Sequence, residues 1–159
     1  MRKELDEALV RDFPDLYQDR DGDPTKTLMC FGFGCGDGWE PIIRKLSEHL
    51  TFLAKAENTP ITAFQVKEKF GTLRFYTNGM TDIMSACIAV AENRSAQTCE
   101  TCGQYGRTRG GGWVRTLCAA HAHEKGKQIT EHEAKKLGVT EYKLLDEKSQ
   151  ENDESFDGW

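Results

Sequence analysis

The chain has no long apolar run. Its longest is Ala86–Ala91, far short of the roughly 20 residues that a bilayer-spanning helix needs. It also lacks an apolar leader. The opening MRKELDEALVRD is charged and amphipathic, so the sequence predicts neither export nor membrane insertion and points to the cytoplasm. Histidine is scarce, at four residues, and neither H-E-x-x-H nor a nucleophile elbow occurs. No catalytic constellation is therefore spelled out, and binding is expected ahead of enzymatic activity. A positive charge excess is missing too. The net charge is −5, and nine acids against four lysines in residues 131–159 account for it. The other 130 residues balance 17 acids with 17 bases, which removes any general bias of the body toward polyanions.

What is present is cysteine. Six cysteines in a chain with no export signal fit a reducing compartment and argue for metal ligation over disulfides. Cys99, Cys102, Cys118 and His121 read C-x2-C-x15-C-x2-H within TCETCGQYGRTRGGGWVRTLCAAHAHEKG. Two close ligand pairs separated by a loop of this length are what a tetrahedral zinc ion needs, and the loop can fold as a short β-hairpin. With four protein ligands the ion, one Zn2+, would be structural, and a metal-dependent hydrolase would need an open position that this set does not offer. His123 is the other candidate for fourth ligand. His121 is preferred because x2 matches the first pair and places both groups on one helical turn. Cys87 reads as a small core residue. Cys30 and Cys35 have no nearby pair to complete a second site.

The chain pattern predicts an α+β fold: a short antiparallel β-hairpin packed with several helices, plus a zinc-ribbon or knuckle-like module. A helix is expected over Lys3–Val10 with Leu5, Ala8 and Leu9 on one face. DRDGDP, residues 19–24, starts like a calcium loop, but its twelfth position is Cys30 and not Glu, so it reads as a turn. Leu28–Phe33 reads as a strand entering the glycine-rich FGFGCGDGW. Asp37 and Glu40 have capping-box spacing before a long helix carrying Ile42, Ile43, Leu46, Leu50, Leu53 and Ala54. The glycines are expected to allow a tight strand-to-helix turn. ITAFQVKEKFGTLRFYTNG reads as a hairpin turning at Lys69–Gly71, with Phe64 and Val66 on one strand's face and Leu73 and Phe75 on the other's. Thr81 is a cap for a third helix, whose core stripe is read as Ile83, Cys87 and Val90. Thr130 with Glu133 suggests a second capping box and a helix pair. The expected domains are a core over 1–96, the zinc module over 97–127, the helical pair over 128–146 and an acidic mobile tail over 147–159.

Two polar clusters are candidate binding surfaces. In the zinc loop, Arg107, Arg109 and Arg115 accompany Trp113 and three glycines, a composition that suits phosphate binding or base stacking. The plainer reading has Trp113 packed over the zinc hairpin and the arginines solvated. On the first hairpin, Lys67 and Arg74 share a face with Gln65 and Tyr76, and Glu68 is an expected ion-pair partner. The acidic helix over TEYKLLDEKSQENDE would be repelled by DNA phosphates, so the expected helix pair is no DNA reader. The terminal SFDGW, with Phe156 and Trp159, is a candidate linear motif or a disordered end.

FGFGCGDGWEPIIRKL, VKEKFGTLRFY and the stretch from ENRSAQTCETCG through RTRGGGWVRTLCAAHA, in that order, resemble an uncharacterised set of small phage, prophage and bacterial proteins with a zinc-ribbon-like module. The resemblance covers most of residues 13–121. It implies a zinc ion on Cys99, Cys102, Cys118 and His121, and a phage or mobile-element origin. A phage accessory protein of this size implies host-defence modulation in the host cytoplasm, through a host protein or a nucleotide signal. Nucleic acid bound through Arg107, Arg109 and Trp113 is the alternative partner, and no membrane is expected.

Overall fold

A computed structural model describes residues 1–110 and 113–122. Among the described residues it contains four helices and two small antiparallel sheets, the α+β class expected. All of them lie in one compact unit, Met1–Ile129. The expectations for His123, the helical pair over 128–146 and the tail over 147–159 lie outside the described residues.

Helix α1 spans Lys3–Asp12, two residues beyond the expected end, and stops before Pro14. It buries Leu9 and also Asp6, whose carboxylate accepts from Arg20 Nε at 2.9 Å and from Phe33 N at 3.2 Å. Leu28–Phe33 is not a strand. Met29–Phe31 forms a 3-10 turn, and the segment meets the sheet at its two ends: Leu28 N donates to Phe64 O at 3.1 Å, and Gly34 donates to Val66 O and accepts from Glu68 N, each at 2.9 Å. The run is not uniformly buried either: Met29 and Phe33 enter the core, and Phe31 points out to solvent.

Strands β1 (Thr62–Lys69) and β2 (Thr72–Asn78) pair antiparallel, with Lys67 opposite Arg74 and Gln65 opposite Tyr76. The turn is the two residues Phe70 and Gly71, both at positive φ (52° and 77°), the left-handed geometry that matches strand twist in tight hairpins. A bulge between Ala63 and Gln65 breaks the expected alternation. Ala63 and Val66 are buried and Phe64 is only half-buried, so the core face is set by the bulge and not by simple period two.

Helix α2 (Glu40–Ala56) buries Ile42, Ile43, Leu46, Ser47 and Leu50, much as its periodicity predicts. Its start differs from expectation. Asp37 opens a 3-10 turn, and its carboxylate accepts from Arg2 N and Arg2 Nε, each at 2.7 Å, instead of capping α2. Glu40 pairs with Arg44 one turn on. Helix α3 (Asp82–Ser95) is capped as expected by Thr81, whose Oγ1 accepts from Met84 N at 3.4 Å. Its buried face is Met84, Ile88, Ala91 and Ser95, one position round from the predicted stripe, while Ile83 and Val90 are exposed and Cys87 is half-buried. Residues 83–91 hold no charge, so the sequence offers no polar side to set the phase. The core is one cluster in which Leu9, Trp39, Leu46, Val66, Leu73 and Met84 are fully buried.

Candidate metal centre

The C-terminal end of α3 leads directly into Cys99. Strands β3 (Arg107–Arg109) and β4 (Arg115–Leu117) then form the expected hairpin between the two ligand pairs, and the short α4 (Ala119–Ala122) follows. His121 N donates to Cys118 O at 3.2 Å, so Cys118 and His121 share one turn. Cys99, Cys102, Cys118 and His121 converge, with their ligand atoms all within 4.8 Å of one another. Cys102 Sγ lies 3.7 Å from Cys118 Sγ, and His121 Nδ1 lies 3.6 Å from Cys99 Sγ and 3.2 Å from Cys118 Sγ. Tetrahedral zinc with ordinary bond lengths has edges of about 3.6–3.8 Å between such ligands. The donor set fits one metal ion, with the imidazole entering through Nδ1.

Burial opposes ionisation of the Cys99 thiol, but backbone N–H groups of Cys118, Cys102 and Thr101 favour the thiolate and bring it down to about 6. Desolvation, with the neighbouring Cys99 and Cys118 sulfurs, pushes Cys102 up to about 11. One anionic ligand is thus prepared by the backbone, and a bound cation would favour the others.

The glycine-rich segment builds the support for this centre. Gly38 N donates to Glu100 O at 2.9 Å, and Gly36 N donates to Glu100 Oε1 at 3.0 Å. A Cβ on Gly38 would stand 2.2 Å from Cys99 O, 2.4 Å from Gly103 N and 2.7 Å from Cys102 N. A Cβ on Gly36 would stand 2.2 Å from Glu100 O. These glycines admit the backbone of the first cysteine pair, which is a different reason from the tight turn expected. Trp39, fully buried, donates from its indole N–H to Thr98 O at 2.7 Å, one residue before Cys99. Glu100 also accepts from Arg115 Nε at 2.9 Å, and its backbone N donates to Thr116 O at 2.9 Å. Nothing in the ligand spacing points to Glu100, Gly36, Gly38 and Trp39 as parts of the centre. The signal was there in GCGDGW, where small residues flank an aromatic.

Arg115 is therefore a half-buried structural partner of the buried Glu100. Arg109 donates from Nε to Leu117 O at 3.2 Å, and Arg107 lies opposite Leu117. Trp113 does not pack over the hairpin. It is 74% exposed, with Nε1 donating to Glu68 Oε2 at 3.1 Å. Glu68 takes this role, and accepts from Gly71 N at 2.8 Å, where an ion pair was expected. Lys67, Arg74, Gln65 and Tyr76 share the predicted face. Arg74 Nη1 is engaged with Thr72 Oγ1 at 2.6 Å and Leu73 O at 2.7 Å. Cys35 is buried in the main core, where burial pushes its thiol up to about 12. Among the described residues no helix is long and apolar enough to cross a membrane. Comparison of the chain with protein-family models, curated proteins and solved structures finds no match.

Proposed function

We propose that the Cys99, Cys102, Cys118 and His121 cluster binds one Zn2+ in a structural role, and that the chain is a zinc-stabilised binding protein and not an enzyme. The supporting observation is the closed ligand set. Three sulfurs and one imidazole nitrogen lie within 4.8 Å of one another, and together they would fill all four corners of a tetrahedral site. A hydrolytic zinc keeps a corner for water, and three thiolates damp the Lewis acidity of the ion. The ion would hold the β3–β4 hairpin and its exposed Trp113 in place. Metal analysis tests this. Purified chain should carry one zinc, and Cys99→Ser and His121→Ala should each lose it. Full retention of zinc by Cys99→Ser would sink the assignment.

The sequence raises three partner classes: a host protein, a nucleotide signal and nucleic acid. The last has a specific structural support, because the exposed Trp113 adjoins a hairpin that carries three arginines. Binding of that kind weakens steeply with salt.

A further inference from the structure

Two aromatic side chains stand exposed at one place in the fold, each held there against its own preference. Phe70 occupies the first central position of the β1–β2 turn at φ 52°, where Asn, Asp or Gly ordinarily sits, and it is still 42% exposed. Among the described residues the other non-glycine residue at positive φ is Asn58, which suits that geometry. Trp113 is 74% exposed, yet Glu68 Oε2 fastens its indole N–H at 3.1 Å, so the ring is oriented without being buried. The other oxygen of Glu68 accepts from Gly71 N at 2.8 Å. One carboxylate thus ties the indole to the Phe70–Gly71 turn. The turn rests on the second hairpin, where a Cβ on Gly71 would lie 3.2 Å from the Arg115 carbonyl carbon and 3.3 Å from Val114 Cγ1.

The charge around this place runs against that of the chain. Residues 65–76 and 105–117 hold six cations and one acid, in a chain of net charge −5, and of the six Arg115 is already paired with Glu100. The one acid is Glu68, and each of its oxygens accepts an N–H. Lys69 Nζ lies 5.6 Å from the centroid of the Phe70 ring.

We infer that Phe70 and Trp113 form a stacking site for the unpaired bases of single-stranded nucleic acid, with Lys69 and the β3 arginines meeting its phosphates. Every base offers a π face, and exposed rings interleaved with cations bind it with little regard to sequence. Bases in a duplex already stack on one another and do not offer that face. The inference rests on the zinc-stabilised binding reading above and adds the ligand class.

The test uses zinc-loaded full-length chain and anisotropy of labelled oligo(dT), oligo(U) and a mixed-sequence duplex at low salt. Single strands should bind about tenfold more tightly than duplex, and Phe70→Ala and Trp113→Ala should each weaken them about tenfold. Phe70→Asn separates binding from folding. It should weaken single-strand binding as Phe70→Ala does, while the melting temperature holds or rises, because Asn suits the turn. Equal affinity for duplex, absence of binding, or unchanged affinity in Trp113→Ala would overturn the inference. A lower melting temperature in Phe70→Asn would make the ring structural and overturn it as well. Zinc content of the same samples tells the two failures apart. Folded, zinc-loaded chain that ignores single strands removes only the stacking site, whereas chain without zinc removes the reading beneath it.

Discussion

The β1–β2 and β3–β4 hairpins share an antiparallel pairing and little else. The first has strands of eight and seven residues and buries Ala63, Val66, Leu73 and Phe75 against the helices. The second has three residues in each strand and buries Thr108, Thr116 and Leu117. Strands that short do not bury enough apolar surface to hold themselves together. Their support comes from elsewhere: Thr116 Oγ1 donates to Gly71 O at 2.6 Å, Arg115 meets Glu100, and the candidate metal ligands stand at both ends of the loop. One hairpin is held by its own side chains and the other by its surroundings.

The largest test of this contrast is metal removal. Structural zinc sites in small folds contribute apparent free energies of about 10–16 kcal/mol. Chelating the proposed ion, or Cys99→Ser, should abolish hydrogen-exchange protection over residues 98–110 and 113–118 while α2 and β1–β2 keep theirs. Equal loss in both regions would erase the distinction. Gly38→Ala comes next, because its Cβ would meet three backbone atoms within 2.7 Å. It should lower stability by about 3 kcal/mol and also weaken metal binding. Leu46→Ala, in the fully buried core, should lose about as much stability yet keep one metal per chain. Calorimetry with metal titration distinguishes the two. On α3, Met84→Ala should lose about 2–4 kcal/mol in denaturant titrations, and Ile83→Ser should stay within about 0.5 kcal/mol. The reverse ranking would restore the stripe read from sequence. The smallest effect belongs to Thr81→Ala, which removes one helix cap and should cost about 1 kcal/mol.

Local rules made much of this legible. The ligand spacing predicts the cluster, Thr81 marks its cap, and Lys69–Gly71 marks the first turn. The failures have physical causes. Helix α3 is apolar nearly all round, so only its neighbours decide that Met84 and Ile88 face inward. Asp37 and Glu40 have capping spacing, but Arg2, 35 residues away, offers the Asp37 carboxylate a better partner. A bulge of one residue moved Phe64 off the core face. The glycines of GCGDGW read as turn formers because the backbone they admit lies some 60 residues further on, and no local pattern carries that distance.

That last feature bears on how transferable the candidate metal-binding segment is. A stretch running from Thr98 to His121 looks like a self-contained cassette that could be cut out and grafted elsewhere. Its first cysteine loop, however, is shaped to lie on bare backbone, and the Thr98 carbonyl needs an indole N–H to accept from. A recipient scaffold lacking the equivalents of Gly36, Gly38 and Trp39 would meet the transplant with methyl groups where it needs empty space. A graft would therefore have to carry both distant segments together.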